Sequence, residues 1–127
     1  MKMNIGVVIA MQEEAAPLLQ LFGLKQSVSP YDGAQFYHDG NLTVAVGGVG
    51  TLAAAMATQT LIDKYQCGYI YNTGTAGCTG GAFRTGDIVS IERVCKGDVD
   101  LTIFGNAPCQ LPGTPVYLTP ETDARYP

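Results

Sequence analysis

From Asn4 to Ala10 the chain reads Asn-Ile-Gly-Val-Val-Ile-Ala, apolar at almost every position and rich in β-branched residues. A strand buried on one face would alternate, so an unbroken run predicts a central strand covered on both faces. From Met11 to Leu21 the spacing changes. Ala15, Leu18, Leu19 and Phe22 recur at helical intervals. Glu13 and Glu14 fall in the first turn, where the helix dipole favours negative charge. A strand passing directly into a helix is the expected result. Ala34–His38 and Leu42–Gly47 read as two more strands, joined through Asp39-Gly40, a strong hairpin signal. An alanine-rich helix is predicted over Thr51–Tyr65, with Leu52, Ala55, Met56, Thr60 and Leu61 on one face. A strand over Gly68–Asn72 follows. Leu42–Asn72 is therefore expected to be a βαβ unit, its strands parallel and its crossover right-handed. Asp87–Val94 is predicted as a further strand. From Gly97 the chain is turn-rich, with Pro108, Pro112, Pro115, Pro120 and Pro127.

Strands alternating with helices predict an α/β fold with a mixed, mostly parallel central sheet flanked by helices. The 127 residues suit a single domain spanning 1–127. A chain of that size buries about two-thirds of its extended surface, enough for one core. With 46% hydrophobic and 14% charged residues it is globular in composition. The net charge of −4 and the absence of any Lys/Arg cluster argue against nucleic acid or an anionic membrane surface as partner. The N-terminal apolar run ends at Gln12-Glu13-Glu14, too soon to cross a bilayer and without a cleavage signal. The cysteines, Cys67, Cys78, Cys95 and Cys109, form no C-x-x-C pair, and His38 is the sole histidine. No metal site is expected, and reduced thiols in a cytoplasmic protein are.

Candidate chemistry gathers where strands end. In an open parallel sheet, ligands bind outside the carboxyl ends of the strands. One strand ends in Ala10-Met11-Gln12-Glu13-Glu14, another in Gly47-Gly48-Val49-Gly50, a third in Asn72-Thr73-Gly74-Thr75-Ala76-Gly77. Glycine at such turns permits positive φ and close backbone approach to a ligand, and helix starts offer free N–H groups. Each feature alone also has an ordinary structural explanation: glycine turns are common, and a Glu pair can simply stabilise a helix start. Their coincidence is the stronger argument. Gly48-Val-Gly-Thr-Leu-Ala53 fits the dinucleotide pattern G-x-G-x-x-A. That fingerprint requires an acid at the end of the next strand, where this chain has Asn72-Thr73, so a dinucleotide cofactor is not expected.

Taken together, Ile5–Glu14, Gly48-Val-Gly50, Asn72–Gly77, Thr85-Gly-Asp-Ile-Val89, Asp100–Gly105 and Gln110-Leu-Pro-Gly113 resemble the nucleoside phosphorylase/nucleosidase superfamily. Within it they are most similar to the 5′-methylthioadenosine/S-adenosylhomocysteine nucleosidases. The resemblance implies a three-layer α-β-α, phosphorylase/hydrolase-like fold. It implies a cytoplasmic homodimer that hydrolyses the N-glycosidic bond of a purine nucleoside and needs no cofactor. Glu14 matches the carboxylate that activates the attacking water. Met11 matches a residue against the ribose, and Val49 one near the sugar or thio substituent. Thr75, Ala76 and Gly77 match the segment beside base and sugar. Leu101, Phe104 and Pro112 match residues that the second copy lends to the thio-substituent pocket. A hydrolase or phosphorylase of another purine nucleoside, such as futalosine, is the alternative, as is a nucleoside-binding half-domain without turnover.

The chain departs from the family pattern at Ile9, where Gly is usual, at Thr75 for Ser, at Gly48 for Ser and at Leu52 for Lys. Ile9 either narrows the approach to the site or points into the core. Family members are nearly twice as long, so 1–127 is expected to be the N-terminal half of such a domain. The half that is lacking would hold the ribose hydroxyls and protonate the departing base. Asp87 is expected as a turn residue. Asp98, Asp100 and Asp123 are expected in solvent, and His38 on the surface.

Overall fold

The computed structural model describes residues 3–120, so Asp123 lies outside the described residues. The chain divides into two compact units, Met1–Gly77 and Cys78–Pro127. In the first, β1 (Asn4–Ile9) passes through Ala10-Met11 into α1 (Gln12–Phe22). β2 (Lys25–Ser27), β3 (Gln35–Asp39), β4 (Leu42–Val46), α2 (Thr51–Asp63) and β5 (Cys67–Asn72) follow. The five strands form one sheet in the order β2-β3-β4-β1-β5. β1 is parallel to both β4 and β5, while β3 is antiparallel to β4 and to β2. The expected mixed, mostly parallel α/β sheet is thus present.

The apolar run of β1 is buried on both faces because a helix covers each one. Val7 and Ile9 share a cluster with Val44 and Val46 of β4 and with Ala15 and Leu19 of α1. Val8, Ala45 and Phe36 turn the other way and meet Ala57 and Leu61 of α2. These are three layers, α-β-α. Ile9 is 1% exposed, so the branched side chain points into the core. Gly23 ends α1 in the left-handed conformation, φ 62°, and the Leu24 N–H returns to the Leu19 carbonyl at 3.1 Å.

β4 and β5 run parallel, as expected of the βαβ unit, with β1 lying between them in the sheet. Other expectations need correction. The hairpin turns on Gly40-Asn41, since Asp39 already pairs with Leu42; Gly40 takes the positive φ, 59°, that a two-residue loop needs. On α2, Leu52 and Met56 are exposed, and the buried face is Ala57 and Leu61, with Ala54 packed beside them. Small side chains win because the helix lies so close to the sheet. A Cβ on Gly47 would stand 2.8 Å from the Ala57 Cβ. Lastly, β2 escapes the sequence pattern: Lys-Gln-Ser is a short polar edge strand, with no buried face to impose alternation.

The second unit is mostly turns. It contains a short 3-10 helix, Thr102–Phe104, and an isolated antiparallel bridge between Val94 and Leu118. Asp87–Val94 is not a strand. β-branched residues favour the extended chain, but a strand exists only with a hydrogen-bonded neighbour. Apart from the Val94 bridge, this run has no ladder among the described residues, and Ile88 is fully exposed. Asp87 is a turn residue as expected: its carboxylate accepts the Arg84 N–H at 2.8 Å.

Candidate functional site

The site is built on backbone ties across the carboxyl ends of three adjacent strands. The Gly47 N–H donates to the Ile9 carbonyl at 2.9 Å and the Gly48 N–H to the Ala10 carbonyl at 3.1 Å. On the other side the Thr73 N–H donates to the Val8 carbonyl at 3.2 Å. The glycine turn and the Thr73–Gly77 segment therefore flank Ala10-Met11 from opposite sides. α1, after β1, covers one face of the sheet, and α2, after β4, covers the other. Adjacent parallel strands whose helices leave to opposite faces open a crevice between their ends, the usual ligand position in such sheets.

Glu14 is the charged residue this arrangement holds most firmly. Met11 is extended, φ −127° and ψ 151°, and precedes the helix. One turn into α1, Glu14 bends back, and its Oε2 accepts the Met11 N–H at 3.3 Å. Its Oε1 accepts the Thr75 hydroxyl at 2.7 Å and the Thr75 N–H at 2.9 Å. The Thr75 hydroxyl does most to hold the Glu14 carboxyl below the ordinary glutamate range, followed by the Thr75 N–H. Partial desolvation opposes this, while smaller contributions from the Met11 and Ala10 backbone reinforce the lowering. The Gly74 backbone lies against the carboxylate; a Cβ there would stand 3.4 Å from both oxygens, an ordinary van der Waals contact. The two bonds to Thr75 fill Oε1, while Oε2 keeps a lone pair for a further donor. Glu13, next to it, is exposed.

The other predicted residues are placed as follows. Met11 and Val49 are exposed apolar side chains at the strand ends, Val49 by 78%. It follows Gly48 and precedes Gly50, both at positive φ, 95° and 110°. Thr75 contacts Glu14 directly; Ala76 and Gly77 continue the same exposed segment. Leu101, Phe104 and Pro112 belong to the second unit, where the Phe104 N–H donates to the Leu101 carbonyl at 3.0 Å and Phe104 is 77% exposed. His38 is exposed, with Nδ1 2.8 Å from the Thr43 hydroxyl.

An open depression of about 310 Å³ lies at the ends of β1 and β4. Ala10 and Gln12 line it from one side, Val46 and Gly48 from another, Gly33 and Gln35 from a third. Glu14 does not line it. Sequence reading passed over Gln12 and Gln35. The available signal was topological: β3 runs antiparallel to β4, so its first residue, Gln35, pairs with Val46 at the same edge where β1 and β4 end. Among the described residues, no group of three or more His, Cys, Asp or Glu side chains is placed to hold a metal ion. Among the same residues, no helix is long and apolar enough to cross a membrane.

Over 126 residues the chain is 37% identical to a 5′-methylthioadenosine/S-adenosylhomocysteine nucleosidase of Colwellia psychrerythraea, covering 95% of this chain and 51% of that protein. The solved structure of a nucleosidase of that name and organism, in complex with adenine, superposes with a TM-score of 0.81 at 35% identity, over 94% of this chain and 51% of the other. The futalosine hydrolase of Helicobacter pylori superposes with a TM-score of 0.84 at 25% identity, over 92% and 52%. The chain thus spans about half the length of the relatives it matches. Residues 4–126 match the family model described as the phosphorylase superfamily, and the chain belongs to that family.

Proposed function

We propose that the protein carrying this chain hydrolyses the N-glycosidic bond of 5′-methylthioadenosine and S-adenosylhomocysteine, releasing adenine, with Glu14 as the base that activates water. One observation carries this reading: a carboxylate fixed at the ends of β1 and β5, its ionised form favoured by the Thr75 hydrogen bonds, with a lone pair of Oε2 left over. In the reaction the water oxygen bonds to C1′ as the bond from C1′ to the base nitrogen breaks. The electron pair leaves with the base, and the water proton passes to Glu14. A nearby carboxylate also stabilises the positive charge that develops on the sugar. Met11 and Val49 supply apolar contact for the ribose and its substituent, and Thr75, Ala76 and Gly77 border the base.

The superfamily includes phosphorylases, and the charge at this site favours water over phosphate. A fixed carboxylate repels a phosphate dianion, and no Arg lies between Ile5 and Gly50. Residues 1–127 are read as the N-terminal half of the catalytic domain, with the proton for the departing base supplied from outside this half. The protein is read as a cytoplasmic homodimer, in which Leu101, Phe104 and Pro112 of one copy border the substituent pocket of the other. Support for the dimer is the motif resemblance and the exposure of Phe104.

The test is product analysis with the whole protein that carries this chain. Methylthioadenosine, S-adenosylhomocysteine and futalosine are each supplied with and without phosphate, and the released base and free sugar are measured. Adenine from the first two, at a rate independent of phosphate, supports the proposal. Phosphate-dependent formation of a sugar 1-phosphate, or turnover of futalosine alone, would overturn it.

A further inference from the structure

Glu14 leaves the depression between β1, β4 and the start of β3 without a role. Its polar lining is made of two amides. The Tyr37 hydroxyl lies 2.8 Å from Gln35 Oε1 and 3.3 Å from Gln12 Oε1. A phenol has one proton and cannot donate to both carbonyls. Gln35 is the shorter contact and takes it. A half-turn of the Gln12 amide then lets its N–H group donate to the phenol oxygen, which frees Gln12 Oε1 as an acceptor. On the other side, the Gln35 amide N–H group remains free to donate. Tyr37 is packed against the α1-side cluster, so the pair is anchored from beneath.

An acceptor and a donor pair side by side, with no charged residue among the lining, complement a ligand end that carries both an ammonium and a carboxylate. Position supports this. Thr75 follows β5, Glu14 follows β1, Gly48 follows β4 and Gln35 begins β3, in that spatial order. Three strand spacings make about 14 Å, the scale of a nucleoside with an extended 5′ substituent. With base near Thr75 and C1′ near Glu14, a substituent following the strand ends past Gly48 would reach the amides.

We infer that Gln12 and Gln35 form a subsite for the α-amino-acid end of a long 5′-thio substituent, so that the site selects S-adenosylhomocysteine-type substrates over those ending in a methyl group. This rests on the hydrolase reading above and names the substrate end that the same site prefers. The Gln35 amide donates to the carboxylate, and Gln12 Oε1 accepts from the ammonium.

The experiment compares kcat/KM for S-adenosylhomocysteine and methylthioadenosine in the whole protein and in three variants, Gln35→Leu, Gln12→Leu and Gln35→Glu. Losing one hydrogen bond to a charged group should lower the ratio of the two constants about tenfold in each Leu variant. Gln35→Glu should lower it further, since the new carboxylate faces the ligand's own. Because each variant is read as a ratio, reduced folding affects both substrates alike, and the two positions are read independently. Ratios within about twofold of the parent in all three variants would overturn the subsite and leave the hydrolase reading standing. Failure of the parent protein to hydrolyse either substrate would overturn both.

Discussion

Glu14 accepts three hydrogen bonds on one carboxylate, and all favour its ionised form. The consequence for stability has a definite sign. A carboxyl held below its ordinary range by native contacts stabilises the fold at neutral pH, and that contribution disappears as pH falls through the lowered value. Thermal melts of the parent and Glu14→Gln should therefore differ most near neutral pH and converge in acid below the ordinary glutamate range. A difference that does not change with pH would show that the hydrogen bonds from Thr75 and Met11 do not discriminate charge. The same shift keeps the basic form of Glu14 fully populated at neutral pH, so the acid limb of activity should also lie below that range. At this scale half of the site was legible. Glu14 stands at a fixed offset from the end of an apolar run, visible without coordinates. Its partner Thr75 is 61 residues away, and nothing local to either residue announces the bond.

At the scale of elements, the sequence spoke clearly where one physical effect dominated. The unbroken apolar run of β1 had no soluble alternative to a strand covered on both faces. α2 is a helix as the pattern predicts, and Leu61 of the predicted face is buried, but Leu52 and Met56 of that face are not, although size alone would rank them above Ala57. The close approach of helix and strand reversed that ranking, leaving Leu52 in solvent and Ala57 fully buried. This approach makes a testable difference between two glycines. A Cβ on Gly47 would stand 2.8 Å from the Ala57 Cβ and 3.3 Å from the Ala53 carbonyl, atoms fixed to the helix backbone. A Cβ on Gly6 would stand 2.7 Å from Ile70 Cδ1 and 3.0 Å from Leu61 Cδ1, ends of side chains that can turn aside. Gly47→Ala should cost about 1–3 kcal/mol, in the range for overpacked cores, and Gly6→Ala less. Denaturant midpoints of the two variants check the order; equal losses would place the rigidity elsewhere. The run Asp87–Val94 marks the opposite limit. Its composition is that of a strand, but pairing is a property of a neighbour, which a one-dimensional pattern does not contain.

For the whole molecule, the arrangement of the first unit gathers three chain turns at one edge of a sheet. The order β4-β1-β5 places the glycine turn and the Thr73–Gly77 segment on either side of the β1–α1 junction. That order was not readable in detail, because β1 separates two strands that are consecutive along the chain apart from one helix. The convergence of the three ends was readable, since each carried chemistry unusual for a plain turn. The proposed reaction turns on one step, in which the carboxylate of Glu14 takes the proton from the attacking water. Its most direct test is the rate of adenine release from methylthioadenosine by the whole protein and by its Glu14→Gln variant, which keeps the shape and an acceptor oxygen but cannot take that proton. Loss of a positioned general base should lower kcat about 10²–10⁴-fold with little change in KM, whereas a variant that keeps kcat within a few-fold of the parent would contradict the role given to Glu14.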